Sequence, residues 1–173
     1  MQPDPPQSKI QLYFGKYTVF ALFIMLFFFS KDMMDMFKIL IIDANMPFRK
    51  SLKTSLVRRI PAVAIREAGS AAEGLKKIDS FKPHLIFIDF YLADMHGLSL
   101  AKKIKTSYPE IILLLFASFD SPEYQRAAAQ CAVEHLIPKD DCSVKDMLDL
   151  VESILLGSEM SRRIKVENRH SAT

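Results

Sequence analysis

The chain has 173 residues, half of them hydrophobic and a quarter charged, with 23 basic against 20 acidic side chains and a mean hydropathy of +0.11. So much apolar content excludes a mostly disordered chain, and so even a charge balance gives no ground for nucleic-acid binding. Two cysteines, Cys131 and Cys142, with four scattered histidines form neither a disulfide framework nor the paired spacing of a zinc site.

Residues 1–35 open with a proline-rich stretch and continue into an uncharged run from Tyr17 to Ser30. As a helix those residues would span only about 21 Å, whereas a hydrocarbon core of about 30 Å wants roughly 20 residues. A start at Ile10, with Lys16 snorkelling, just reaches that length. Three readings stay open: a membrane tether through residues 10–30, a true start at Met33, Met34 or Met36, or a hydrophobic helix docked on the domain. The basic residues Lys9 and Lys16 precede the run, so positive-inside bias would put the following domain outside, against a cytoplasmic location.

From residue 36 to 156 the pattern alternates. Phe37–Ile42, His84–Asp89 and Glu110–Phe116 are short continuous apolar runs rich in β-branched residues, as in strands buried on both faces. Ala62–Glu67 and Glu134–Lys139 are more mixed and belong nearer the sheet edges. Between them Phe48, Leu52 and Leu56 repeat at helical spacing, and Leu75 and Ile78 follow the capping-box pattern Ser70-x-x-Glu73. A third helix covers Gly97 to Ser107, and Ser121-Pro122 opens an alanine-rich fourth. Val144, Met147, Leu148, Val151, Ile154 and Leu155 make an amphipathic stripe behind Ser143-x-x-Asp146. Five strand–helix units predict an α/β fold, a doubly wound parallel sheet with helices on both faces. The basic stretch 157–173, four cations against two acids, is expected to be a flexible tail.

Ligands of such sheets sit beyond the carboxyl ends of the strands. The residues there are Asp43 after strand one, Asp89 closing strand three, Phe116-Ala117-Ser118 after strand four and Lys139 after strand five. No glycine-rich dinucleotide or phosphate loop and no nucleophile elbow is present. Two carboxylates and a lysine suit phosphoryl chemistry: an aspartate can form an acyl phosphate, a hard cation such as Mg²⁺ offsets phosphoryl charge, and an ammonium contacts a phosphate oxygen. A flavin or other small-ligand role is disfavoured because the loop after strand one lacks a Ser/Thr/Gly-rich phosphate cradle.

The order Ile-Leu-Ile-Ile-Asp43, Pro-His-Leu-Ile-Phe-Ile-Asp89, the loop from Phe90 to Gly97, and Leu-Ile-Pro-Lys139-Asp resembles the receiver domain of two-component response regulators over residues 36–156. The resemblance implies a flavodoxin-like sheet of order 2-1-3-4-5. It makes Asp89 the phosphoacceptor and Lys139 the phosphate-contacting lysine. Asp43, Asp89 and the Tyr91 backbone carbonyl become the Mg²⁺ site. A histidine kinase or phosphotransfer protein is the implied donor, and a downstream effector protein or a homodimer the implied output. Such a domain is a signalling phosphoacceptor rather than an enzyme in the usual sense.

Four departures stand out. The second of the adjacent acids after strand one is Ala44, so Mg²⁺ binding should be weak, with Asn45 or Asp94 as the residues that could compensate. The hydroxyl expected at the end of strand four is Phe116, the aromatic switch position of strand five is Leu136, and the loop proline is Ala93. Two functions therefore remain in view: a working phosphoacceptor, or a degenerate receiver acting as a phosphorylation-independent binding module.

Overall fold

A computed structural model describes residues 37–118, 121–139 and 142–170. The sequence readings made for residues 1–35 lie outside the described residues. Five parallel strands, β1 (Phe37–Ile42), β2 (Val63–Ala68), β3 (Leu85–Asp89), β4 (Ile112–Ala117) and β5 (His135–Pro138), form one sheet of order β2-β1-β3-β4-β5. The helices between and after them are α1 (Met46–Arg59), α2 (Ala71–Phe81), α3 (Gly97–Ser107), α4 (Pro122–Gln130) and α5 (Val144–His170). The two compositionally mixed strands take the edges, and the continuously apolar β1, β3 and β4 take the centre, where both faces must exclude water.

Alternation along the strands divides the core in two. Leu40, Ile42, Ile86, Ile88, Leu113 and Leu115 pack with α2, α3 and α4, while Ile39, Ile41, Phe87, Leu114 and Phe116 pack with Leu52 and Leu56 of α1 and Met147 and Val151 of α5. The helix starts are set by short polar side chains. The Asn45 carboxamide accepts from the Phe48 N–H at 3.1 Å, Ser70 from Glu73, and Ser121 from Tyr124, each satisfying a donor that the helix cannot. The capping box of α2 closes one residue early: the Glu73 carboxylate accepts from the Gly69 N–H at 2.6 Å instead of that of Ser70.

The helix α5 runs beyond Leu156 to His170, so the stretch expected as a tail from Gly157 continues the helical backbone. The composition permits it, since Glu, Met, Arg and Lys are good helix formers and a single glycine costs only about 1 kcal/mol. Among the described residues no helix is long and apolar enough to cross a membrane.

Candidate functional site

The site lies at the carboxyl ends of the central strands. Asp43 follows β1, its N–H donating to the Ala68 carbonyl at 3.1 Å. Asp89 closes β3 in register with Phe116 of β4. Lys139 follows β5, its N–H donating to the Ala117 carbonyl at 2.8 Å. The lysine side chain crosses β4 and places its ammonium between the two acids, 2.7 Å from Asp43 Oδ2 and 2.9 Å from Asp89 Oδ1. Asp43, Asp89 and Lys139 thus form a direct ion triad.

The acids are unequal. The Asp43 side chain is fully buried and that of Asp89 is 14% exposed. The second Asp43 oxygen accepts from the Asn45 N–H at 2.7 Å, a bond back onto the chain two residues on. For Asp89, burial pushes the carboxyl above the usual aspartate range; the Lys139 bond opposes this and the Asp43 charge adds to it. Burial alone would lower the Lys139 ammonium, but its bonds to Asp43 and Asp89 and their charges outweigh it and hold the group above an ordinary lysine.

The loop that follows Asp89 is fastened on two sides. Asp94 accepts from the N–H groups of Ala71 and Ala72, both at 2.9 Å. These are first-turn donors of α2, and they hold the Asp94 carboxyl below its usual range. On the other side Phe90 packs edge-to-face on Tyr124 of α4 at 4.7 Å, and the Tyr91 hydroxyl bonds that of Tyr124, which raises the Tyr91 pKa. His96 packs edge-on to Phe90 at 4.3 Å. At the far end of the loop a Cβ on Gly97 would stand 2.4 Å from the Asp89 carbonyl oxygen and 2.9 Å from the Phe90 Cα. Because both neighbours are backbone, no rotamer relieves the clash. Gly97→Ala should cost about 1–3 kcal/mol, as overpacked sites do. A urea midpoint equal to that of wild type would contradict this.

The two expected compensators for Ala44 are committed elsewhere. Asn45 caps α1 and Asp94 caps α2. Among the described residues no three His, Cys, Asp or Glu side chains gather to hold a metal. The resemblance to receiver domains implies Mg²⁺ at this site. Two carboxylates face one ammonium, and the Asp43 charge adds to the burial that raises the Asp89 carboxyl. The site fits a hard cation that keeps most of its water, and lacks the oxygens for a tightly chelated one.

The two departed switch positions do not meet. Phe116 is fully buried in the core with α1 and α5, stacked on Phe87 at 5.2 Å and edge-to-face with Phe48 at 5.1 Å. Leu136 packs against the opposite core, with α2 to α4. Sequence reading found the ion triad but not its surroundings. Phe48 registered only as an apolar helix position, and Tyr124 and Arg49, whose guanidinium donates to the Asp43 carbonyl, carried no motif at all.

Comparison with known proteins agrees with this geometry. The chain is 28% identical over 135 residues to the response regulator protein VraR of Staphylococcus aureus, an alignment covering 76% of this chain and 64% of that protein. The chain therefore spans just under two thirds of the length of the curated relatives it matches. Among solved structures, it resembles a CheY-like response regulator receiver domain protein from Methanospirillum hungatei with a TM-score of 0.67 and 24% identity, over 73% of this chain and 99% of that one. A two-component response regulator from Clostridium difficile gives a TM-score of 0.64 and 26% identity, over 69% and 95%. The response regulator receiver domain family matches residues 39–152. With its sheet order, its acid–lysine triad and a family match over most of its length, the chain belongs to the receiver domains of two-component response regulators.

Proposed function

We propose that Asp89 accepts a phosphoryl group from a histidine kinase or phosphotransfer protein, and that the folded module of residues 36–156 passes this state to an effector protein or a second copy of the chain. The observation that carries the reading is the difference between the acids. Only Asp89 exposes its carboxylate, while Asp43 is sealed beneath the lysine. An Asp89 oxygen attacks phosphorus, the bond from phosphorus to the donor imidazole nitrogen breaks with its electron pair returning to the ring, and an acyl phosphate results. Lys139 then leaves its carboxylate contact to meet a phosphoryl oxygen as a point charge. Asp89 and the Tyr91 backbone carbonyl would hold a Mg²⁺ ion, with Asp43 joining them only where Lys139 has left its Oδ2, and the ion when bound neutralises phosphoryl charge.

A second reading, a binding module that works without phosphorylation, is favoured by one specific finding: Asn45 and Asp94, which could have replaced the lost acid, are spent on helix caps. Intact mass after incubation with a small phosphodonor, with and without Mg²⁺, separates the two. A Mg²⁺-dependent phosphoryl adduct supports the first reading, and no adduct from either the small donor or a panel of kinases supports the second. Restoring the acid with Ala44→Asp should tighten Mg²⁺ binding by roughly tenfold, equivalent to about 1.4 kcal/mol. An unchanged Mg²⁺ titration would remove Ala44 as the cause of weak binding.

A further inference from the structure

We propose that Phe48 and Phe116 are positioning residues for Lys139, an aromatic clamp that keeps its ammonium seated on Asp43 and Asp89. The Lys139 Nζ lies 4.8 Å from the centroid of the Phe48 ring and 5.6 Å from that of Phe116, both within the roughly 6 Å over which a ring face attracts a cation. The two rings stand at 90° to each other, so the ammonium meets a corner formed by aromatic groups below and carboxylates beside it. Neither wall is free to turn away. Phe116 is fully buried and stacked at 6° on the equally buried Phe87, and the Phe48 ring, in the first turn of α1, packs edge-to-face on Phe116 at 5.1 Å.

The topology explains why the clamp forms at these positions. A lysine leaving β5 must pass over β4 to reach an acid on β3, and the β4 residue level with Asp89 is Phe116. A hydroxyl there would offer a hydrogen bond; a ring offers a π face, which holds a cation without competing for its protons. The third side of the corner comes from α1, so the site is joined to α1 through Phe48. The inference deepens the reading of Lys139 as the phosphate-contacting lysine: contact with a phosphoryl oxygen requires the ammonium to leave these rings as well as its carboxylates.

The test is competitive acetylation of lysines in the full folded chain with trace acetic anhydride at one fixed pH, followed by peptide mass spectrometry, with exposed Lys102 as the internal reference. In wild type Lys139 should react about tenfold more slowly than Lys102, because its ammonium is seated against two carboxylates and two rings and is shielded from the reagent. Phe48→Met keeps apolar bulk and removes the ring, and should speed Lys139 labelling about fivefold, the equivalent of ~1 kcal/mol for a cation–π contact. Phe48→Tyr keeps the ring and should label as wild type does. Phe116→Leu should act like Phe48→Met if it folds; because Phe48 is only half-buried, its variants carry the test regardless. Equal acceleration in the Met and Tyr variants, or none in either, would overturn the clamp. The readout uses no phosphodonor, so its failure is distinct from a failure of Asp89 to accept phosphate.

Discussion

Replacing Lys139 with methionine should destabilise the domain by about 3 kcal/mol, the lower end of the ~3–5 kcal/mol seen when one partner of a buried pair is removed. An exposed pair would lose less than about 1 kcal/mol. The difference comes from Asp43, whose side chain has no access to water. Without the ammonium, that carboxylate retains the Asn45 N–H and faces Asp89 with no cation between them. The half-buried lysine, its side chain 22% exposed, sets the estimate at the lower end. Adding Asp43→Asn to Lys139→Met should recover more than half of the loss, because the uncompensated charge is gone. Urea unfolding of the single and double variants measures both effects. A single-variant loss below ~1 kcal/mol would mean that the triad does not carry the buried charge.

Asp89→Ala should abolish the phosphoryl adduct while Asp94→Ala retains it. The two acids share one loop, yet their environments assign opposite work. Asp94 is held by two helix N–H groups and its pKa is lowered, so it acts as a cap. Asp89 is raised by burial and by the Asp43 charge, against the pull of Lys139. Only the ionised carboxylate attacks phosphorus, so adduct formation should fail on acidification at a higher pH than an ordinary aspartate would dictate. An adduct that survives in Asp89→Ala would place the acceptor elsewhere. Loss of the adduct in Asp94→Ala with the fold intact would mean that the cap on α2 also positions the acceptor loop.

Much of this was legible in the residue order because it depends on local pattern. Continuous apolar runs such as Leu85–Asp89 announce strands buried on both faces, Ser70, Ser121 and Ser143 announce helix starts, and five such units in series leave little choice but a parallel sheet with helices on both faces. The strand-end positions of Asp43, Asp89 and Lys139 follow from the same pattern, and with them the site and the receiver family. The continuation of α5 past Gly157 was not legible, because a glycine followed by charged residues reads equally as a helix end or as a helix with one poor residue.

What only the tertiary structure decided is how side chains distant in sequence share out their bonding. Asn45 and Asp94 are free polar residues on paper; in the fold each meets an unsatisfied helix terminus and is consumed there. Phe116 on paper is a lost hydroxyl, yet in the fold it is a buried ring against Phe87 and Phe48, with the Lys139 ammonium within reach. The strand pattern of the chain determines which residues arrive at the carboxyl ends of the strands. Whether each then holds a cation, caps a helix or fills the core depends on which unsatisfied partner lies within bonding distance, and that distance exists only once the strands are paired.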